Sequence, residues 1–404
     1  MKTQIKKVTA LVTTMLIMAS PLTACKKEEE TTSSYTIPET TTTQEATSEA
    51  SSSATSAKAT ETTLPPVDPN ACILNPLTGL MEMDPANKGK HGIGIPVNNT
   101  IQANPSRGTS EASVIFEYET EGGQTRLLCV YPDVSRIPLL GSLRSGRVGA
   151  VDMCAGTGCT FICWGSDEPT VPNHIRNLGL QWIDLNNHIY DSTHAHDADE
   201  VPEGRYCWRD REWMSEPNHR GGLEHCGVTR GDFLLKALEA YNIDLTGEIP
   251  ELFRFVEPGT ATMVDSTSCT EINVYFSSCN DDALFVYNPD EKVYYKSQYN
   301  GKPQMDINNN VQIHFTNVFV LYCPINPRPN DPSTERHKDI HMEEGGTGYY
   351  ISYGKLEPIT WTKPNATDPI KCFDSKGNEI QVNAGKSYIC VVDEDYMDKT
   401  TMKE

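Results

Sequence analysis

Three arginines stand out in an acidic chain. Arg126 follows the glycine turn "EGGQ", and Arg144 and Arg147 lie in "GSLRSGR" (141–147). The i, i+3 spacing of Arg144 and Arg147 would put both on one face of a helix. Guanidinium is the side chain best suited to gripping phosphate or carboxylate through two parallel hydrogen bonds. Arg209 and His225 are further candidates for the same cleft, and His225 is of a type that titrates near neutrality. The chemistry such a set implies is capture of an anion. With His225 as acid and base it extends to hydrolysis or phosphoryl transfer. Glu117, Glu119, Glu121 and Asp152 offer a different use, as internal partners whose ion pairs hold the fold together.

Overall charge narrows the possible partners. The 404 residues carry 34 Lys and Arg against 55 Asp and Glu, a net −21. That balance argues against nucleic acid and against electrostatic attachment to an anionic bilayer. An anionic ligand therefore needs a local basic cluster.

Other constellations are weaker. In "DSTHAHDADE" (191–200), His194 and His196 would share one face of a strand and could take a metal, but the segment lacks apolar alternation and reads as a solvated loop. "NPRPNDPSTERHKDIHMEEGGTG" (326–348) reads as a loop between strands. Cys154, Cys159 and Cys163 fit no standard zinc-pair spacing. No GxSxG, HExxH, phosphate-loop or dinucleotide fingerprint is present, so no cofactor and no metal are expected.

The amino terminus supplies an address. Lys2, Lys6 and Lys7 precede a short apolar run, and "LTAC" (22–25) then places small residues before a cysteine. This is the pattern of a lipoprotein signal peptide over 1–24, with acyl chains carried on Cys25. Residues 25–70 are dominated by Thr, Ser, Glu, Ala and Pro, a stalk that cannot form a core. The expected location is the extracytoplasmic face of a bacterial cell membrane, held by the lipid anchor. Twelve cysteines besides Cys25, an even number outside the membrane, lead to an expectation of disulfides.

The elements that must position the arginines come from period and turn signals. "SVIFEYET" and "TRLLCVYPDV", joined by "EGGQ", read as a β-hairpin. A helix is expected from Ser142 as its cap, and another after Thr229 with Asp232 in a capping box. "GIGIPVNN", "CTFICWGS" and "LQWIDLN" read as strands, and "SDEPTVPNHIRNLG" as a helix stopped by Gly179. The fold class is thus α+β or α/β for 71–255. A β-rich region of short aromatic and β-branched runs follows over 256–395, with a tail at 396–404.

Several of these stretches resemble the YerB-type lipoprotein family. "NPLTGL" (75–80), "EYETEGGQTRLLCVY" (117–131), "GSLRSGR" and "CWRD" (207–210) are similar to its amino-terminal domain, and residues 346–392 to its carboxy-terminal one. The resemblance implies this two-domain layout and a membrane-anchored lipoprotein, and it carries no assigned chemistry. The family's "GPVRSAR" reads Ser142-Leu143 and Gly146 here, and its "PHNLYTS" reads "EHCGVTR" (224–230). The leading expectation is binding of an anionic envelope component, a phosphate-containing wall polymer or a peptide carboxylate. The alternatives are a wall-acting hydrolase or phosphotransferase, and a scaffold docking proteins through its β-rich region.

Overall fold

Strand Val114–Glu119 and strand Thr125–Tyr131 pair antiparallel, as the period-two pattern predicts. Both are buried throughout, because this hairpin sits in the middle of a sheet covered on both faces. In the computed structural model the described residues are 68, 71–192, 198–215, 221–263, 266–279, 282–331 and 336–404. The signal segment, Cys25, the stalk (Asp68 apart), His194 and His196 lie outside them. Among the described residues no helix is long and apolar enough to cross a membrane.

The central sheet has eleven strands. On one side of the hairpin, Ile93–Asn98 pairs antiparallel with Thr125–Tyr131, and Thr160–Cys163 and Trp182–Asp184 follow in parallel. On the other side, Val114–Glu119 pairs in parallel with Ser387–Asp393, which is parallel to Asn317–Cys323. Gly346–Ser352 and Lys355–Thr362 continue the sheet. The amino- and carboxy-terminal halves of the sequence thus share one sheet, and the molecule is mostly strand with few helices.

Alternation along the hairpin decides what each face meets. Val114, Phe116, Tyr118, Leu128 and Val130 cluster with Ala150, Val151 and Met153 of helix Val148–Gly156. Ile115, Leu127 and Cys129 cluster with Phe285, Tyr294 and Phe315 of a separate six-stranded sheet. Hence Glu117 and Thr125 belong to the second-sheet face, while Arg126, paired with Tyr118 in the register, belongs to the helix face.

Helix Thr170–Leu178 ends at Gly179, whose φ of 66° is the left-handed cap conformation. The capping box proposed for Thr229 does not form. Thr229 lies in strand Gly227–Thr229 and its hydroxyl donates to the Tyr206 carbonyl at 2.8 Å. Helix Gly231–Ala240 begins after Arg230, which pairs with Asp232 at 2.7 Å. The 326–348 segment is not simply a loop, because Ile325–Pro327 and Lys338–Ile340 pair antiparallel and Arg328 bridges Asp167 and Asp339.

The expected disulfides are absent among the described residues, where all twelve cysteines are free thiols. Ten of them are buried, among them Cys129, Cys163, Cys323 and Cys390 on strands of the central sheet. There they serve as small hydrophobic side chains, a role the even count does not reveal. Burial pushes the Cys159 and Cys269 thiols up to about 11, away from the reactive thiolate form. A thiol reagent on the native full-length protein is therefore expected to modify exposed Cys279 at once, and the ten buried cysteines only on unfolding. Mass-spectrometric mapping of the labelled sites against time checks this, and fast labelling of the buried set would contradict it.

Candidate functional site

The segment carrying Arg144 and Arg147 is extended, not helical. Asn98 N–H donates to the Ser142 carbonyl at 2.8 Å, and Arg144 N–H to the Pro96 carbonyl at 3.0 Å. Leu143 N–H donates to Gly227 at 2.8 Å and Gly146 N–H to Gly165 at 2.9 Å. Ser142 is buried and caps nothing, and the helix starts at Val148 with Arg147 in the cap position. Arg144 and Arg147 therefore do not share a helix face. The glycines permit the close sewing of this strap. A Cβ on Gly227 would lie 1.8 Å from the Trp164 ring, and one on Gly146 would lie 2.9 Å from Phe161.

Two of the three arginines converge on a carboxylate of their own chain. The "EGGQ" turn, with Gly122 and Gly123 at φ 69° and 73°, folds Glu121 back toward Arg126. Arg126 pairs with Glu121 Oε1, and Arg147 holds Glu121 through Nε at 2.9 Å and through a second nitrogen. Arg126 also donates to the Ser145 carbonyl at 2.7 Å. Burial on its own would raise the Glu121 carboxyl, but Arg126 and Arg147 outweigh it and hold the group at about 2. Burial, and then Arg147, bring the Arg126 guanidinium down to about 10.

Arg144 stands beside this clamp without joining it. Among the described residues its guanidinium donates to the Glu224 carbonyl, at 3.3 Å, and its buried Nε has no hydrogen-bond partner. Burial, followed by Arg147 and Arg209, lowers its pKa against the pull of Glu121 and Glu224. Arg209 lies over the Trp164 ring at 4.5 Å and donates to the Leu223 carbonyl. Both guanidiniums thus flank the Leu223–His225 turn. His225 Nδ1 lies 2.9 Å from Asn98 Nδ2, and its Nε2 lies 3.1 Å from the carboxylate of Glu224, a side chain 73% exposed. All five arginine and histidine candidates are in one neighbourhood, in two tiers. Arg126 and Arg147 form a base that shares the one Glu121 carboxylate, and Arg144 and Arg209 stand beside it with His225 in the turn they flank.

A second polar centre escapes the sequence reading. On the opposite face of the hairpin, Glu117 and Lys296 are both fully buried, 3.6 Å apart. Glu117 accepts from Asn99, Thr125 and Tyr388, each at 2.7 Å. Lys296 donates to Gln298 at 2.7 Å and Gln304 at 2.6 Å, and Gln304 in turn donates to Asn99 at 2.9 Å. Burial lowers the Lys296 pKa, with Glu117 opposing. The signal was present in Tyr294, Lys296 and Gln298, which alternate on the buried side of strand Val293–Gln298.

Comparison with known proteins places these elements in context. Residues 77–219 match the family model "Protein of unknown function (DUF3048) N-terminal domain", and residues 272–389 match the corresponding C-terminal domain. The "Putative lipoprotein YerB" of Bacillus subtilis (strain 168) is 25% identical over 321 residues, 78% of this chain and 85% of that protein. A crystal structure of YerB protein from Bacillus subtilis is similar at a TM-score of 0.66 and 20% identity, covering 82% of this chain and 100% of that one. The structural likeness extends to the fold.

Proposed function

The chain belongs to the family built from the DUF3048 N- and C-terminal domains, and on that footing we propose that it is a lipid-anchored extracytoplasmic protein whose Arg144 and Arg209 capture an anionic component of the cell envelope. The observation that carries the reading is a charge imbalance. Among the described residues, the carboxylates acting on Arg144 are Glu121, partly buried and shared by Arg126 and Arg147, and Glu224, exposed. Arg126 and Arg147 are answered by Glu121. Among the described residues the Arg144 and Arg209 guanidiniums donate to backbone carbonyls, which leaves their charge for an external anion. A repeating phosphodiester polymer suits two guanidiniums better than a single carboxylate does, since each can take one phosphate. Hydrolysis or phosphoryl transfer by His225 draws less support, because both of its ring nitrogens are engaged.

A ligand that binds only the folded state raises the melting temperature. A glycerol-phosphate oligomer is expected to raise that of the full-length protein, with a carboxylate dipeptide doing so less. Both shifts should vanish in Arg144→Ala/Arg209→Ala. An equal shift in that variant would sink the proposal.

A further inference from the structure

The buried Glu117–Lys296 centre backs a cavity remote in chemistry from the arginines. We propose that this cavity, of about 360 Å³, binds a hexose ring of an envelope glycan. Its volume is that of a small-ligand pocket. Among the described residues no carboxylate lines it, in a chain of net charge −21. Its polar lining comes mainly from amides and one lysine, Lys302.

Tyr299 is the aromatic wall of the lining. It is a bulky residue at φ 52°, a conformation such side chains rarely take, and its hydroxyl is anchored on the Asn99 carbonyl. Tyr299 opens the tight turn 299–301 between the paired strands Val293–Gln298 and Lys302–Pro303, and that turn, left-handed at all three residues, places it in the lining. Asn310, at φ 56°, closes the turn between the paired strands Met305–Asp306 and Val311–Gln312 and also lines the cavity.

The floor is rigid for an independent reason. Gln298 and Gln304 also line the cavity, and their amide oxygens are both held from behind by Lys296. Those amides are committed inward, so the ligand's polar partners are Asn104, Asn310 and Lys302. The Asn104 Nδ2 is used on the Thr100 carbonyl at 3.1 Å, leaving its oxygen as an acceptor. Tyr299, Pro105 and Pro303 supply flat apolar surface. An amphipathic ring, apolar on its C–H face and hydroxylated at its rim, matches both kinds of wall. A phosphate-rich ligand does not, since among the described residues Lys302 is the one cation of the lining.

The probe is the N-acetylglucosamine tetramer, followed by calorimetry and saturation-transfer NMR on the full-length protein. Saturable binding is expected, weakened by about tenfold or more in Tyr299→Ala and in Asn104→Ala, and less in Tyr299→Phe. Arg144→Ala/Arg209→Ala should bind the tetramer as the wild type does, which separates this site from the anion site. If Tyr299→Ala fails to fold, the half-buried Asn104→Ala decides. No binding by the wild type, unchanged affinity in a folded Asn104→Ala, or preference for a tripeptide over the glycan would each overturn the proposal.

Discussion

Replacing Glu121 with Gln is expected to remove about 3 kcal/mol of stability at neutral pH, because it leaves Arg126 and Arg147 facing each other without their shared anion. Their side chains are 7% and 10% exposed, so water cannot make up the loss. The depression of the Glu121 carboxyl by these same two arginines implies a similar magnitude. The carboxyl is held at about 2 in the fold, against about 4.3 in an unfolded chain, a difference of about 3 kcal/mol. A depressed pKa contributes stability that is fully present above the unfolded value and is lost as pH falls through the folded one. Between about pH 4.3 and 2 the wild type should therefore lose stability faster than Glu121→Gln. Urea unfolding of both proteins across that window measures the difference. Parallel curves would show that Glu121 does not bind the two arginines together.

The second large effect lies on the other face of the hairpin. Lys296→Met should cost about 3–5 kcal/mol, since it leaves Glu117 buried with hydrogen bonds and no countercharge. Glu117→Gln should also destabilise, by stranding the Lys296 ammonium. The double variant should lose less than the two single losses combined, with a coupling of about 1–3 kcal/mol. Additive losses in a denaturation cycle would mean that the pair does not act as a unit. Because the centre joins Val114–Glu119 to Val293–Gln298, it is also a specific polar tie between the two halves of the chain.

The two centres were legible in the sequence to different degrees, and the reasons are physical. Strands such as Val114–Glu119 and Thr125–Tyr131 follow from local alternation and a glycine turn, which neighbours in sequence determine. The helix expected at Ser142 failed because the 142–147 strap satisfies its backbone groups on Pro96, Asn98, Gly165 and Gly227. Such partners, far along the chain, override a local capping signal. Glu121 could be named as one of four carboxylates, but choosing it required the fold of the 121–124 turn against the strap. The parallel pairing of Val114–Glu119 with Ser387–Asp393 has no local signature at all. Lys296 was readable in principle, by extending the alternation of Tyr294 two residues onward. The cysteines misled because their number speaks of compartment, whereas their burial speaks of packing.

Anion capture by Arg144 and Arg209 is tested most directly by calorimetry with a glycerol-phosphate oligomer on the full-length protein. The expected result is saturable binding that weakens with salt and falls by about tenfold or more in Arg144→Ala/Arg209→Ala. Glu121→Gln, where still folded, should retain binding, since its loss adds no negative charge to the site. An affinity that is the same with and without the two guanidiniums would contradict the account.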